Sequence, residues 1–332
     1  MPILGTELKI YRAATISSGS DNGGVISAGL AGSGVANAIF PNITESERVA
    51  GATDLRKVFY KVANDSDIAL LNSKVYISQE TVGDDAIAMH TGTFTNTQGD
   101  LTGSEALYGC ASLNVSATAT DTAIEVLVED WATTPIFRDG DEIRITNKAN
   151  VSDAGDEEFA IISGAPSVLG NLITLTLSTG LVSGYSNTDT KVSSVMSIGT
   201  IQGVSTAPVV TSSAGTYDNG SYPILVDSIG GISESYTLTF TSATGFTCIG
   251  SITGSLGSGT VSSNFSPVNA SFAKPFFTIY TAGFGGTFVA NDTITFTTSP
   301  AAAPVWLKRV VPAGATSISG NNFIIALQGE SA

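Results

Sequence analysis

Two stretches of this chain set the terms on which it can fold. Residues 137–146 and 288–297 share one pattern: a phenylalanine (Phe137, Phe288), a turn pair (Gly140 with Asp141, Asn291 with Asp292), then apolar residues at every second position (Ile143 and Ile145, Ile294 and Phe296). Gly, Asn and Asp tolerate the tight or left-handed backbone of a turn. Alternation with a period of two is what a strand with one buried face requires. Similar short alternating runs, divided by clusters of Gly, Pro, Ser and Asn, recur along the chain. They predict an all-β, multi-domain protein of small β-barrel or β-sandwich modules with at most one or two short helices.

At 332 residues the chain is long enough for more than one core, and three blocks are expected. Residues 1–108 form an N-terminal, β-rich assembly domain. It opens with a strand at 8–11 and a long Gly/Ser/Ala arm over 17–38. Thr44 and Glu47 have capping-box spacing, which predicts a short helix over 45–52 ended by Gly51. Val58, Tyr60 and Val62 then alternate with Lys57, Phe59 and Lys61, and this strand is expected to form a hairpin with 74–78. Residues 109–197 read as a small barrel or sandwich with strands near 123–128, 141–146, 158–162, 172–177 and 191–195. Residues 198–332 read as a C-terminal sandwich whose last strands are 305–311 and 322–327. Within it, the Gly/Ser/Thr tract 250–263 reads as a flexible loop or a weak strand whose register needs outside support.

Composition narrows function by exclusion. Charged residues make up 13% of the chain and hydrophobic ones 42%, so the surface must be built largely from Ser, Thr, Asn and Gly. With 29 acidic against 14 basic residues, a net charge of −15 disfavours attraction to a nucleic-acid backbone. No run of about eighteen apolar residues offers a membrane span. The first twelve residues lack the basic-then-apolar order of an export signal, so assembly inside a cell and release by lysis are expected.

No catalytic constellation stands out. His90 is the only histidine, and a nucleophilic triad would have to be built around it with Cys110 or a serine, yet no nucleophile-elbow motif is present. Cys110 and Cys248 are the only cysteines and read as small buried hydrophobes. Acidic clusters at Asp65 and Asp67, Asp84 and Asp85, and Asp153 to Glu158 offer oxygen ligands for Ca²⁺ without EF-hand spacing, and read as solvated turns. A glycosidase would need a carboxylate pair in a cleft, and nothing singles one out. Trp131 and Trp306 read as structural, and the Gly-rich segments 29–34 and 254–259 lack the order of a phosphate loop. No catalytic, cofactor-binding or metal residue is therefore assigned, and no cofactor is expected.

The run Phe40 to Arg48, followed by Gly51 and by Leu55 to Asn64, resembles virion structural proteins of tailed bacteriophages. The middle block, with its strand at 123–128, the turn at 138–145 and the strand at 173–177, is similar to β-modules that recur in phage tail and baseplate-region proteins. The resemblance implies a non-enzymatic viral tail protein of the tube, neck or baseplate, located in the virion after assembly in the host cytoplasm. It also implies a homo-oligomeric ring or stack that contacts other virion proteins, and no specific nucleic-acid or membrane partner. A receptor-binding tail protein or a capsid decoration protein is the alternative.

Overall fold

A computed structural model describes residues 2–150 and 153–332, with strands over 46% of the chain and helix over 5%. The chain is all-β and built of several sheets, as the alternation predicts. Among the described residues thirteen strands precede residue 204: β1 (Leu8–Thr15), β2 (Gly23–Leu30), β3 (Ala52–Val62), β4 (Leu70–Gln79), β5 (Ala86–Thr91), β6 (Tyr108–Leu113), β7 (Ala123–Leu127), β8 (Glu142–Thr146), β9 (Glu157–Ile161), β10 (Ser167–Leu169), β11 (Leu172–Thr176), β12 (Lys191–Ser194) and β13 (Met196–Ile201). One α-helix, α1 (Glu45–Ala50), lies between β2 and β3. Its cap is the one read from sequence, with the Glu47 amide donating to the Thr44 side chain, the Thr44 amide donating to Glu47, and Gly51 at φ 79° ending it.

A further fourteen strands follow, many of only two residues. They are β14 (Val204–Ser205), β15 (Val209–Thr211), β16 (Thr216–Tyr217), β17 (Leu225–Val226), β18 (Glu234–Phe240), β19 (Gly245–Gly250), β20 (Gly254–Thr260), β21 (Val268–Asn269), β22 (Lys274–Pro275), β23 (Phe277–Thr278), β24 (Phe284–Gly285), β25 (Thr293–Ser299), β26 (Ala302–Val311) and β27 (Ile324–Ser331).

The chain forms one layered unit with two excursions. In the layered unit the run β5-β26-β3-β1-β2 faces the three-stranded sheet β13-β4-β27. Val58, Tyr60, Val75, Ile77, Met89, Val305 and Leu307 fill the space between them. The first excursion, β6 to β12, leaves and returns on paired strands (Cys110 opposite Ser193) and curls around Ile124, Val126, Ile143, Ile145, Ile173, Leu175 and Val192. Its far ends meet at a single bridge between Ile162 and Leu177, so the sheet curls without closing into a barrel. The second excursion, 204–300, also leaves and returns on paired strands (Val204 opposite Ser299). Its order β14-β25-β18-β19-β20 lies over an aromatic core in which Phe240 and Phe288 stack at 3.8 Å.

Three expectations are corrected, and a fourth, left between two readings, is resolved. The block 198–332 does not hold together, because β26 inserts between β3 and β5 and β27 pairs with β4, both in the layered unit. Nor do β3 and β4 form a hairpin: they lie in opposite sheets, because each directs apolar residues into the same core. The 17–38 arm contains β2, held between the β1 ladder and the indole of Trp306. A side chain at Gly23 (φ 106°) would meet that indole at 2.7 Å. Of the two readings of the 250–263 tract, the strand holds: it forms β20, an edge strand paired with β19 through one register shift.

The two opening patterns build the same local structure. The Arg138 amide donates to Asp141 and the Val289 amide donates to Asp292, both at 2.9 Å, with positive φ at Gly140 (81°) and Asn291 (75°). Phe137 and Phe288 are buried in different cores. Each aspartate thus ties a turn that launches a strand, which is what a short acceptor side chain does well.

Candidate functional site

His90, on β5, is buried. Its ring stacks on Trp306 at 6.4 Å and its Nδ1 lies 3.0 Å from the Thr91 carbonyl. Desolvation holds its pKa below the ordinary histidine value. Cys110 is buried on β6 and Cys248 on β19, in different units, and burial pushes each thiol up to about 12, so neither supplies a thiolate at neutral pH. Trp306 is fully enclosed, whereas Trp131 packs half-buried against the first excursion's core.

The carboxylates of the acidic clusters engage neighbouring groups. Asp65 pairs with Lys274 at 2.6 Å, and Asp67 accepts the Ser228 amide at 2.7 Å. Asp84 accepts the Thr316 amide and Asp85 the Asn321 side chain. Asp153 accepts the Asn150 amide, Glu157 holds Arg144, and Glu158 accepts the Val182 and Ser183 amides. Among the described residues no group of three or more His, Cys, Asp or Glu side chains is arranged to hold a metal ion. No helix among them is long and apolar enough to cross a membrane.

The nearest approach to an acid–base pair lies where β5 and β6 join the first excursion to the layered unit. Glu80, Asp85 and Glu129 line a narrow recess with Cys110 in its wall. Burial, followed by the charges of Glu80, Asp84, Asp85 and Asp130, raises the pKa of Glu129. Glu80 is committed to Ser112 (2.7 Å) and Lys191 (3.1 Å). The arrangement favours protonation of Glu129 relative to an exposed glutamate. It leaves Glu80 held by a cation, unlike a free partner carboxylate poised to activate water.

Two other features stand out, and alternation did not reveal either. First, β3 buries three cations, Arg56, Lys57 and Lys61, none of which has a carboxylate partner among the described residues. Lys57 donates to the Gly24 and Asn96 carbonyls at 2.7 and 2.8 Å. Lys61 has one long contact, 3.3 Å to the Gly231 carbonyl, and sits 5.2 Å from the Phe272 ring. Alternation separates the Lys57/Phe59/Lys61 face from the Val58/Tyr60/Val62 face without saying what covers it. It is covered because the second excursion brings Ile232 and Phe272 against Phe59, Tyr11 and Ile26.

Second, several sheet edges are open. β10, β20 and β27 end their sheets without a further partner among the described residues, whereas β2 is bridged at Gly23 to Thr97. β10 (Ser167, Val168, Leu169) and β20 (Gly254–Thr260) contain no charged residue or proline. Beside β10, the directly paired leucines Leu169, Leu172 and Leu127 form an apolar row, with Leu169 78% and Leu127 49% exposed. Isolated sheets commonly protect such edges with lysine, proline or a covering segment.

No protein-family model matches the chain, and no curated protein does either.

Proposed function

We propose that this chain is a non-enzymatic structural component of a tailed-phage virion, part of the tail as tube, neck or baseplate, that assembles into symmetric rings or stacks. The observation that carries the reading is the pair of uncharged open edges, β10 and β20. An edge without charge or proline leaves its amide and carbonyl groups ready to pair with a strand from another chain, and main-chain hydrogen bonds of that kind tolerate a bland side-chain sequence. Closed rotational symmetry then limits growth. The acidic surface would keep a DNA cargo from adhering if the assembly lines a channel.

Sedimentation velocity and negative-stain imaging of the full chain, from micromolar to near-millimolar concentration, test this reading. Rings, stacks or discrete oligomers are expected, and they should be lost when lysines replace Ser255 and Ser258 on β20 or Val168 on β10. A monomer throughout that range, alone and with the other tail proteins of its particle, would sink the reading.

A further inference from the structure

We infer that Arg12 and Arg56 form a binding site for a carboxylate. The two side chains share one face of the layered unit, since Arg12 on β1 lies opposite Val58 on β3 and Arg56 is two residues from Val58. They line a narrow recess together with Asn22, Ile16, Ile39, Lys57 and Val58, with no carboxylate in its wall among the described residues. Asp54 and Arg309 neutralise each other on the adjoining stretch of this face, with Nη2 and Nε of Arg309 at 2.5 and 3.2 Å from one carboxylate oxygen. Arg12 and Arg56 themselves have no ion-pair partner among the described residues, in a chain that is strongly acidic overall.

The unused donors give the site its chemistry. Arg56 is 7% exposed, and its Nη1 donates to the Ser17 carbonyl at 3.0 Å and the Leu55 carbonyl at 2.6 Å, which fixes the plane of the guanidinium. Its Nε is buried without a partner, and its Nη2 makes no hydrogen bond among the described residues. This Nε–Nη2 edge presents two parallel N–H groups, the arrangement that a carboxylate accepts with both oxygens. Arg12 is tied through Nε to the Ala38 carbonyl at 2.9 Å, leaving its terminal nitrogens unpaired among the described residues. A buried charged donor without an acceptor is costly, and an entering carboxylate removes that cost. The recess is narrow, so an entering carboxylate must widen it to reach the enclosed Arg56 Nε, and a sugar or a nucleotide is excluded. The carboxylate comes either from a small organic acid or from an acidic side chain of a second copy of this chain.

The Arg56 Nε–H resonance of the ¹⁵N-labelled full chain reads the site directly. In dilute protein, sodium acetate replacing sodium chloride at constant ionic strength is expected to shift this resonance saturably. Arg12→Met should weaken the apparent dissociation constant about tenfold, as loss of one charge-assisted contact implies. If a second copy supplies the carboxylate, the same shift appears without acetate as protein concentration rises, together with a larger sedimentation coefficient, and acetate competes with it. A resonance that responds neither to acetate nor to protein concentration, or that responds equally to chloride, overturns the inference. An acetate response unchanged in Arg12→Met removes Arg12 from the site and overturns the inference as stated. The acetate arm does not rest on the architectural reading: a strictly monomeric protein that binds acetate sinks that reading and leaves this one standing.

Discussion

Replacing Lys61 by Met should stabilise the protein at neutral pH, by an amount that disappears in mild alkali. Lys61 is fully enclosed, and burial lowers its pKa from 10.5 to about 8, with Asp227 pulling in the opposite direction. At about 1.4 kcal/mol per pH unit, that depression disfavours the charged, folded form by roughly 3 kcal/mol at neutral pH. The unfolded chain binds more protons than the folded one between about pH 8 and 10.5, so the wild-type protein regains stability as pH rises through that window. Met has a similar length and no charge. It forfeits only the 3.3 Å contact with the Gly231 carbonyl and the attraction of the ammonium to the Phe272 ring, together worth about 1 kcal/mol. Lys61→Met is therefore expected to be more stable by about 2 kcal/mol at pH 7.5 and nearly equal to wild type at pH 9.5. Urea unfolding followed through the enclosed Trp306 measures both points. Cys110, Cys248 and the buried tyrosines also titrate in alkali, but they do so equally in both proteins and cancel in the difference. A variant less stable than wild type by the same amount at both pH values would refute the argument, since Lys61 would then be a charged tie held by Asp227.

Three further outcomes follow from geometry already described. Arg309→Leu leaves Asp54, which is 11% exposed, without its cation and should cost about 3–5 kcal/mol in chemical denaturation; removing both partners by Arg309→Leu with Asp54→Leu should recover most of the loss. Gly286→Ala places a Cβ 1.9 Å from the Ala214 carbonyl at a φ of 67°, and calorimetry should show the second excursion losing more than about 3 kcal/mol. Asp141→Ala and Asp292→Ala should each lose about 1–2 kcal/mol. Local hydrogen exchange should place each loss at its own turn, and a loss at only one site would break the equivalence of the two patterns.

The local grammar of the fold could be read from the sequence. Thr44, Glu47 and Gly51 mark a helix because the cap, its reciprocal partner and the terminator all lie within eight residues. The turns at Asp141 and Asp292, and the strands that follow them, are legible for the same reason. Partner choice was not. β26 selects β3 across some 250 residues, matching Trp306 to Lys57 and Val305 to Val58. Alternation says that such strands have an inward face but not which strand they will lie beside. Nor does alternation say what covers the Lys57/Phe59/Lys61 face, where backbone carbonyls from distant segments receive the ammonium groups. Arg12 and Arg56 gave no signal at all, since what distinguishes them is the donors they leave unused.

The two chain ends lie side by side in the layered unit, where the Ile3 amide donates to the Ser331 side chain at 2.7 Å. Each excursion also leaves and re-enters on neighbouring paired strands, Cys110 opposite Ser193 and Val204 opposite Ser299. Tension applied between the termini is therefore carried by the layered unit, through the ladders that hold β1 and β27. The excursions lie off the path through these ladders, although the second packs against β1 through Ile232 and Phe272. Under axial pull or contraction they would keep their shape and their contacts while the layered unit bore the strain.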